Sequence, residues 1–385
     1  MKKLLVNGGG HSEIPLIKAS KELGFYVITT GYDEFGLGHI YSDEYIKADF
    51  SNKDEIVNLV QKNSIDYIIP SCNDFSILTA SYVSEKLPVG NFDSYQTTKI
   101  LHHKDLFRAF AMKYNISVPQ AISLTFFQDI DKLKYPLMVK AIDLSGGKGI
   151  QKVDNKIDLQ KAFEESLSLS REDSVIVEEF IDGTHHSASI LIQNKKIIFD
   201  FFADEYFYLN KYLVAGASSN YIISNKCKNK LFEDTNRLIE LLNLVDGILH
   251  IQFIIRNNTP YILEITRRSP GDLYLELVKL SSGINYAKKI IQLYCGLDVQ
   301  IDSKEEKLIT RHCIMSDKIG KLKNIIYDDN IKDNIIDEFM WWREGDEIKD
   351  MMTHKFGIVF LKYNSIEEMR EKTDNIHKLI KVVVY

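Results

Sequence analysis

The segment Gly146-Gly147-Lys148-Gly149 places a lysine among glycines, shortly after an apolar, strand-like run that ends at Ala141. Backbone N–H groups that no side chain shields can close on an anion, and the ammonium group of a lysine adds attraction for it. A P-loop would need four residues between its first glycine and its Gly-Lys pair, then Ser or Thr and a helix, and this segment lacks that spacing. Because a second short extended run follows, the pattern indicates a phosphate-binding flap between two strands.

A second group of polar side chains lies on a predicted pair of strands, in the sequences HIQF and LEITRR. Because alternate side chains of a strand share a face, Glu264, Thr266 and Arg268 lie together and Leu263 points the other way. Gln252 lies on the other strand of the pair and points away from the apolar residues beside it. Carboxylate, amide and hydroxyl oxygens suit Mg²⁺, and a guanidinium suits the charge that develops on a transferring phosphoryl group. Together with the flap, this polar row favours phosphoryl transfer over an ordinary half-exposed strand.

The composition limits the class of protein. The chain has 385 residues, enough for two or three domains with well-buried cores. Its net charge is −6 with acidic and basic residues mixed, so that no basic field favours nucleic acid. The apolar run near the N-terminus is too short for a secretion signal, no run reaches membrane-spanning length, and the four cysteines form no CxxC pair. We therefore expect a cytoplasmic protein whose partners include neither nucleic acid nor a membrane.

Strands and helices alternate over residues 1–95. The sequences KLLVNGG, FYVITTGYD and IDYIIPSCND are typical of strands, and SEIPLIKASKELG and KDEIVNLVQKN are typical of helices between them. Repeated β-α-β units predict a parallel, doubly wound sheet, whose ligands lie at the carboxyl ends of its strands. The flap, two strands around Asp182-Gly183, a helix and the polar strand pair follow, and residues 301–385 have the pattern of a small α+β unit.

The order of these parts resembles the ATP-grasp superfamily of carboxylate–amine or carboxylate–thiol ligases. The resemblance covers nearly the whole chain and implies an ATP-grasp fold that combines α/β and α+β parts. It implies a Rossmann-like pre-ATP-grasp domain at residues 1–95, an ATP-grasp domain at 96–300 with a lid subdomain at about 118–183, and a C-terminal α+β subdomain at 301–385. The sequence that begins WWREGDEIKDM resembles the branch related to biotin carboxylase and carbamoyl-phosphate synthetase.

The resemblance extends to the residues that bind ATP. HHKDLFRAF and YPLMVKA resemble the two lysine segments of the family, whose lysines contact the phosphates, and the glycine–lysine segment resembles the flap that folds over the triphosphate. VIVEEFIDG resembles the hinge, where Glu178 would accept from the adenine amino group and the backbone of residues 179–181 would hold the ring edge. The implied nucleotide-binding residues are Lys104, Lys140, Ser145, Gly146, Gly147, Lys148, Gly149, Glu178, Glu179, Phe180, Ile181 and His185.

The polar strand pair resembles the metal site of the family, with Gln252, Glu264 and Thr266 as ligands for Mg²⁺ or, as an alternative, Mn²⁺. Three positions depart from the family's pattern. Gln252 stands where many members carry Glu, although the large chain of carbamoyl-phosphate synthetase resembles HIQF at this point. Thr266 replaces the usual Asn, and His185 stands where a Glu often holds the ribose hydroxyls. Glu264 is then the one firm carboxylate expected at the metal site.

The chemistry that the resemblance implies needs no side-chain nucleophile. A carboxylate attacks the γ-phosphate of ATP to give an acyl phosphate, and an amine then displaces phosphate to form an amide. The implied catalytic residues are Lys140, Glu264 and Arg268, of which Arg268 would stabilise the charge that develops during transfer. The implied partners are a small-molecule carboxylate and a small-molecule amine, and a homodimer is common among similar proteins.

The residues around the polar row also suggest where the two substrates would bind. The hypothesised seat of an acidic substrate comprises Arg267, Arg268 and the loop Ser269-Pro270-Gly271-Asp272. The hypothesised seat of the amine comprises Asn73, Asp74 and His11. Amino acids, peptides and sugar acids all remain open as substrates.

Two other function classes remain open on the sequence. VNGGGHSE after the first strand, with Asp33 at the end of the second, is typical of a nicotinamide-dependent oxidoreductase, but Glu13 stands where the motif needs a third small residue. A carboxylate there would repel pyrophosphate. The departures at Gln252, Thr266 and His185 also fit a nucleotide-binding regulatory protein without catalysis. Magnesium-dependent ATP turnover separates the ligase from the regulator, and binding of NAD(P)H would favour the oxidoreductase.

Overall fold

The computed structural model describes residues 1–128, 130, 132–142, 149–170 and 173–385. Within these residues the strands form four sheets, two with four strands, one with eight and one with three. The predicted flap residues Ser145, Gly146, Gly147 and Lys148 lie outside the described residues, whereas Gly149 directly precedes a strand. In the described part of the chain, no helix combines the length and the apolar character needed to cross a membrane.

The N-terminal segment folds as a parallel sheet with helices between its strands. Its elements are β1 (Lys3–Asn7), α1 (Ile14–Glu22), β2 (Tyr26–Gly31), β3 (Glu44–Lys47), α2 (Lys53–Asn63), β4 (Tyr67–Pro70) and α3 (Asp74–Ser84). The strands are ordered β3-β2-β1-β4, and each neighbouring pair is parallel. The predicted alternation of strands and helices is confirmed. The strand β3 is not predicted from the sequence, because this four-residue edge strand is half exposed and contains no apolar run.

The next segment builds a small antiparallel sheet. Its elements are α4 (Tyr95–His102), α5 (Lys104–Lys113), β5 (Ala121–Leu124), β6 (Leu137–Ala141), β7 (Ile150–Val153), α6 (Lys156–Leu169) and β8 (Val175–Glu179). The strands are ordered β5-β8-β6-β7. Leu159 and Phe163 of α6 pack on the apolar face of this sheet. Lys140 lies near the carboxyl end of β6, and Glu178 lies near the carboxyl end of β8. Both residues line the site described below.

The third segment supplies most of the large sheet. Its elements are β9 (Thr184–Gln193), β10 (Lys196–Phe207), β11 (Val214–Ser219), α7 (Asn225–Leu241), β12 (Gly247–Arg256), β13 (Thr259–Thr266), α8 (Tyr274–Ser282) and α9 (Tyr286–Tyr294). The strands β12 and β13, predicted as the polar pair, form an antiparallel pair at one edge of the sheet. Gly283 ends α8 with a φ of +74°, a left-handed conformation that glycine adopts without steric cost.

The C-terminal segment extends the same sheet. Its elements are β14 (Leu308–Ile314), β15 (Gly320–Tyr327), α10 (Asp329–Lys332), β16 (Ile335–Met340), β17 (Glu347–Ile348), β18 (Gly357–Tyr363), α11 (Ile366–Asp374), α12 (Ile376–Leu379) and β19 (Ile380–Val384). The eight-stranded order is β13-β12-β9-β10-β11-β14-β18-β16, and β17-β15-β19 form a separate sheet. The predicted domain boundaries stay predictions, but the β11–β14 pairing shows that one sheet crosses the boundary at residue 300.

One buried apolar cluster joins the N-terminal sheet to the rest of the molecule. It contains Leu4 of β1 and Leu16 of α1 together with Tyr286 and Ile290 of α9 and Phe360 of β18. The residues in contact within this cluster come from three distant parts of the chain. Hydrogen bonds also hold the segments that follow β1 and β4 against the loop after β13, from the Asp272 N–H to Ser12 Oγ and from Arg268 Nε to Asp74 Oδ1.

Candidate active site

Two adjoining cavities lie beside the strands β10, β12 and β13. The outer cavity has a volume of about 500 Å³ and extends towards β6 and β8. The inner cavity has a volume of about 240 Å³ and extends towards β14 and the loop after β13. Seven residues line both cavities, and we call four of them, Lys104, Glu205, Gln252 and Glu264, the junction. The outer volume falls within the range of roughly 300–1,000 Å³ that is typical of small-molecule sites, and the inner cavity suits a smaller molecule.

A buried ion triad forms one wall of the outer cavity. Glu178 of β8 accepts a hydrogen bond from Arg108 Nε at 2.7 Å and another from Lys140 Nζ at 2.5 Å. Glu178 and Arg108 are each 1% exposed. Both oxygens of Glu178 therefore already accept from cations, and its predicted contact with an adenine amino group stays a prediction.

The electrostatics of the triad favour an anionic ligand. Burial alone would raise the pKa of Glu178, but the charges of Arg108 and Lys140 outweigh it and lower the pKa to about 2. Burial lowers the pKa of Lys140, and although Glu178 opposes this, the cations Arg108 and Lys104 add to it. Two cations, Arg108 and Lys140, thus contact one buried carboxylate, and Lys140 also lines the cavity, where it would attract an anionic ligand.

Arg108 also fixes the polar strand pair. A β-bulge lies between Gln252 and Phe253 of β12, where Leu263 is the extra residue on β13. Arg108 donates to the carbonyl oxygens of Ile262 at 3.1 Å and of Leu263 at 2.9 Å. Bulges interrupt strict alternation and re-aim the neighbouring side chains. Leu263 consequently lines the outer cavity, as Glu264 does, and the prediction that it points away from the site is wrong.

The hinge after β8 presents backbone groups to the outer cavity. The N–H groups of Glu179 and Phe180 donate to the carbonyl oxygens of Gln120 and Pro136. The Ile181 N–H has no backbone acceptor among the described residues. Of the three predicted hinge residues, Ile181 is thus the one whose N–H is suited to a ring nitrogen.

His185 follows the hinge and lines the outer cavity as well. Its ring lies edge-on to Phe207, with the ring centroids 4.7 Å apart. Burial, with the nearby charges of His186 and Lys140, lowers the pKa of His185 to about 4. The imidazole is therefore neutral at pH 7 and can donate one hydrogen bond and accept another, which suits a pair of hydroxyl groups.

The three predicted metal ligands lie together. Gln252 and Glu264 are direct partners across the antiparallel pair β12–β13, and Thr266 pairs with His250 in the same ladder. All three predicted ligands line the inner cavity. The alternation of side chains along the strands thus predicted the placement of these residues, and their role as ligands stays a prediction.

A second carboxylate, which the sequence patterns do not predict, lies at the junction. Glu205, near the end of β10, accepts from the Gln252 side-chain amide with its two oxygens, at 2.9 and 3.1 Å. Burial raises the pKa of Glu205 to about 7, although the hydrogen bond from Gln252 opposes the shift. The prediction that Glu264 is the one firm carboxylate here is therefore wrong, because Glu205 stands beside it.

These oxygen atoms fit a divalent cation that also binds phosphate. The nitrogen of the Gln252 amide faces Glu205, so that the amide oxygen is directed elsewhere, and the carboxylate of Glu264 and the hydroxyl of Thr266 lie on the same strand pair. Among the described residues, no group of three or more His, Cys, Asp or Glu side chains is arranged to hold a metal. A mixed set of few protein oxygens matches Mg²⁺, which typically takes one or two protein ligands and completes its shell with phosphate and water.

Arg268 is held at the inner cavity by a chain of hydrogen bonds. Its Nε donates to Asp74 Oδ1 at 3.0 Å, and the same oxygen accepts from His102 Nδ1 at 3.0 Å. His102 Nε2 accepts from the backbone N–H of Arg267 at 3.1 Å, which fixes the tautomer of the ring. Burial would raise the pKa of Asp74, but Arg268 and His102 outweigh it and hold the pKa well below its ordinary value. Arg268 is therefore a fixed cation at the cavity wall.

The predicted role of Arg267 in binding an acidic substrate is wrong. Arg267 lines neither cavity. Its Nε donates to Asp93 at 2.6 Å, and its terminal nitrogens donate to the carbonyl oxygens of Ile248 and Val245, each at 2.7 Å. Because these groups are satisfied inside the fold, Arg267 supports the structure and has no donor directed at a substrate.

The loop after Arg268 reaches the site in part. Pro270, Gly271 and Asp272 line the inner cavity, whereas Ser269 is buried outside it. The carboxylate of Asp272 lies 2.5 Å from Lys355 Nζ. The loop therefore shapes the inner cavity, and its carboxylate is already neutralised by a lysine.

The predicted amine seat does not form. Asn73 caps α3, Asp74 binds Arg268, and His11 stacks on Trp341 with the ring centroids 4.6 Å apart. None of the three predicted residues lines either of the two cavities. The prediction is wrong because these side chains hold the loops together around the site and do not face into it.

The glycine loop after β1 is closed on its own carboxylate. Glu13 accepts from the N–H groups of Gly10 at 2.8 Å and Cys72 at 2.9 Å. A Cβ atom on Gly9 would lie 1.9 Å from the ring of His39, so that a side chain at this position would have to displace that ring. Because Glu13 occupies the N–H group that a pyrophosphate would need, the geometry does not support the oxidoreductase hypothesis.

Two curated relatives share part of the sequence. The carbamoyl phosphate synthase large chain of Clostridium acetobutylicum is 21% identical over 271 residues, which are 65% of this chain and 25% of the relative. The formate-dependent phosphoribosylglycinamide formyltransferase of Prochlorococcus marinus strain NATL2A is 28% identical over 188 residues, which are 47% of this chain and 48% of the relative. The matches thus cover about a quarter and about half of the length of these relatives.

A family model and a solved structure agree on the fold. The model of the ATP-grasp domain matches residues 104–271, a stretch that begins at Lys104 and includes the hinge and the polar strand pair. The crystal structure of an L-amino acid ligase from Bacillus licheniformis superimposes with a TM-score of 0.87 and 15% identity, covering 100% of this chain and 99% of that chain. Residues 104–271 therefore form an ATP-grasp domain, and the chain as a whole has the ATP-grasp fold.

Proposed function

We propose that this protein is an ATP-dependent ligase that joins a small-molecule carboxylate to an amine through an acyl phosphate and releases ADP and phosphate. The observation that carries the proposal is the meeting of two cavities at the junction residues. The outer cavity has the size and the cationic wall that suit a nucleotide, and the inner cavity is suited to a small substrate. The match to the ATP-grasp domain supports ATP as the nucleotide.

The outer cavity would hold ATP along its length. Ile181 would donate to the adenine ring, and His185 would bind the ribose hydroxyls. Lys140, held by Glu178, and Lys104, at the junction, would contact the phosphates, so that the γ-phosphate reaches the inner cavity. The flap residues 145–148 would fold over the triphosphate, as their resemblance to the family's flap implies.

The junction would also hold the metal ion. Gln252, Glu264 and Thr266 would be its protein ligands, with Mg²⁺ as the expected ion and Mn²⁺ as an alternative that accepts the same oxygen donors. When bound, the ion would neutralise part of the charge on the transferring phosphoryl group.

The inner cavity would then orient the carboxylate for attack. A carboxylate oxygen bonds to the γ-phosphorus while the bond from that phosphorus to the bridging oxygen of ADP breaks. Arg268, fixed by Asp74, stabilises the negative charge around the phosphorus and then around the acyl carbon. The amine nitrogen bonds to the acyl carbon, the carbon–oxygen bond to phosphate breaks, and the phosphate leaves with the electron pair and a proton from the nitrogen.

ADP release tests this proposal. We would incubate the protein with Mg·ATP and pooled carboxylates crossed with pooled amines, beside Glu264→Ala and the matched control Glu240→Ala, which alters an exposed residue of α7. ADP that appears with a particular pair, vanishes in Glu264→Ala and persists in Glu240→Ala is the expected result. Binding of ATP without ADP release across the whole panel would overturn the proposal and favour a non-catalytic nucleotide-binding protein.

A further inference from the structure

Arg311 of β14 is a buried cation at the wall of the inner cavity, and one of its donors has no hydrogen-bond partner among the described residues. It is 2% exposed and lines the inner cavity but not the outer one. One terminal nitrogen donates to the carbonyl oxygen of Asp272 at 3.1 Å and contacts Cys313 Sγ at 3.2 Å. Its Nε has no hydrogen-bond partner among the described residues. Because buried polar groups nearly always have a partner, this open Nε indicates a ligand that supplies an acceptor.

The charge of Arg311 is incompletely balanced by its surroundings. The nearest carboxylate oxygen, Asp272 Oδ2, lies 3.6 Å from Arg311 but only 2.5 Å from Lys355 Nζ. The other oxygen of Asp272 lies 3.4 Å from His11 Nε2. Since Asp272 is shared among these groups, the deep end of the inner cavity keeps positive charge for an anion.

The opposite end of the inner cavity carries two carboxyl groups, those of Glu205 and Glu264, beside the lysine Lys104. Glu205 accepts hydrogen bonds from the neutral amide of Gln252, and in the described part of the chain it forms no ion pair. Glu205 lines both cavities, whereas Arg311 lines the inner one alone. The inner cavity therefore has the cation of Arg311 at one end and two carboxyl groups, which can accept hydrogen bonds from an ammonium group, at the end that it shares with the outer cavity.

We propose that the inner cavity binds an amino acid as the amine substrate, with its carboxylate on Arg311 and its amino group beside Glu205. This inference rests on the proposed ligase function and deepens it by naming the class of the amine. A guanidinium binds a carboxylate through two parallel N–H donors, and the open Nε of Arg311 supplies one of them. With its carboxylate held at the deep end, the amino group points to the junction, where the acyl phosphate would form.

The carboxylate held by Arg311 is not the one that attacks ATP. The attacking carboxylate has to reach the γ-phosphate at the junction, and Arg311 is absent from the part of the site that the two cavities share. A dicarboxylic acid that reacts at one end and binds Arg311 with the other would use the same cation. The experiment below separates these two occupants by changing the amine and the acid independently.

The first experiment compares amines with and without a carboxylate. For the wild-type protein with Mg·ATP and a fixed monocarboxylic acid, we would measure kcat/KM for an amino acid, for the amine that lacks its carboxylate and for its carboxamide. We expect the amino acid to be preferred by about 10- to 100-fold, the size of a hydrogen-bonded charge contact. Arg311→Met should lose most of this preference. Arg311→Lys should keep part of it, because the lysine keeps the positive charge but lacks the planar pair of donors of a guanidinium.

Three results would overturn the inference. The wild-type protein would use the amine without a carboxylate as efficiently as the amino acid, or Arg311→Met would keep the full preference. Alternatively, Arg311→Met would selectively impair dicarboxylic acids as the acid substrate. Arg370→Met, which alters an exposed arginine of α11, serves as the matched control and should keep the wild-type preference.

A binding measurement separates failure of this inference from failure of the ligase. By calorimetry with Mg²⁺ and a non-hydrolysable ATP analogue, the wild-type protein should bind the amino acid more tightly than the amine without its carboxylate. This preference without any ADP release would reject the ligase and keep the amino-acid site. ADP release with both amines at equal efficiency would reject the site and keep the ligase. If Arg311→Met does not fold, the preference for the amino acid over the amine without its carboxylate, measured in Arg311→Lys and in the wild-type protein, tests the inference instead.

Discussion

Replacing Glu178 with Gln would remove the carboxylate that Arg108 and Lys140 share and would keep its size. Two buried cations would then face a neutral amide. The difference between the ordinary pKa of 4.5 and the folded pKa of about 2 corresponds to about 3 kcal/mol of stabilisation at 1.36 kcal/mol per pKa unit. Breaking a buried ion pair by removing one partner typically costs about 3–5 kcal/mol. We expect Glu178→Gln to lower the free energy of unfolding by about 3–5 kcal/mol at pH 7.

Urea denaturation of both proteins measures this difference. The neighbouring residue offers a matched control, because Glu179 pairs with Arg256 at 3.1 Å with both side chains about one third exposed. Surface ion pairs contribute about 0–1 kcal/mol, so Glu179→Gln should change the free energy of unfolding by no more than that. The contrast between the two variants isolates the effect of burial on otherwise similar carboxylates.

The lowered pKa of Glu178 also predicts how this difference in the free energy of unfolding changes with pH. The folded pKa of Glu178 is depressed, so its stabilisation is fully present above the ordinary pKa of 4.5 and is lost as the pH falls towards the folded pKa of about 2. At pH 4 the difference between the wild-type protein and Glu178→Gln should be smaller than at pH 7 by about 0.8 kcal/mol. A variant within about 1 kcal/mol of the wild type at pH 7, or a difference that grows in acid, would refute the reasoning.

Further perturbations test other parts of the structure. Lys140→Met should weaken ATP binding in calorimetry by about 10- to 100-fold, because a charge-assisted contact to phosphate is lost, and unchanged affinity would exclude that contact. Gly183→Ala should lower the free energy of unfolding in urea by about 1–3 kcal/mol, because its Cβ would lie 2.2 Å from the carbonyl oxygen of Ile255, and wild-type stability would contradict the packing there. Asp93→Asn should lower the free energy of unfolding by about 3–5 kcal/mol through Arg267, while the folded fraction keeps its affinity for ATP; an altered affinity would place Arg267 in the site after all.

The polar row could be predicted from the sequence because it depends on local alternation. After the bulge at Leu263, alternate residues at the end of β13 and just beyond it face the site, which places Glu264, Thr266 and Arg268 together. The same alternation directs Arg267 away from the site, and in the structure Arg267 is buried against Asp93. The error at Arg267 therefore came from grouping neighbouring residues by charge where the strand already separated them.

Glu205 could not be found in this way. It lies on β10, and β9 stands between β10 and β12 in the sheet, so that its contact with Gln252 depends on strand order. Alternation along one strand carries no information about which strands become neighbours. Predicting this carboxylate would have required the order of the eight-stranded sheet.

The spacing between Lys104 and Arg108 in the sequence predicts that Arg108 lies near the site. Arg108 follows Lys104 by four residues on α5, and residues at this spacing share one face of a helix. A lysine predicted to face the nucleotide therefore placed an arginine on the same side. Its partners Glu178 and Leu263 lie on two different sheets, so that the buried triad itself depends on tertiary structure.

The transfer of oxygen from the carboxylate to phosphate tests the acyl-phosphate mechanism most directly. The carboxylic acid of the pair found by ADP release would be labelled with ¹⁸O in both carboxylate oxygens, and the phosphate product would be analysed by mass spectrometry. The mechanism predicts that phosphate carries one ¹⁸O atom for each ADP released and that the amide keeps the other. Phosphate without label, or phosphate that takes its oxygen from labelled water instead, would contradict the proposed function.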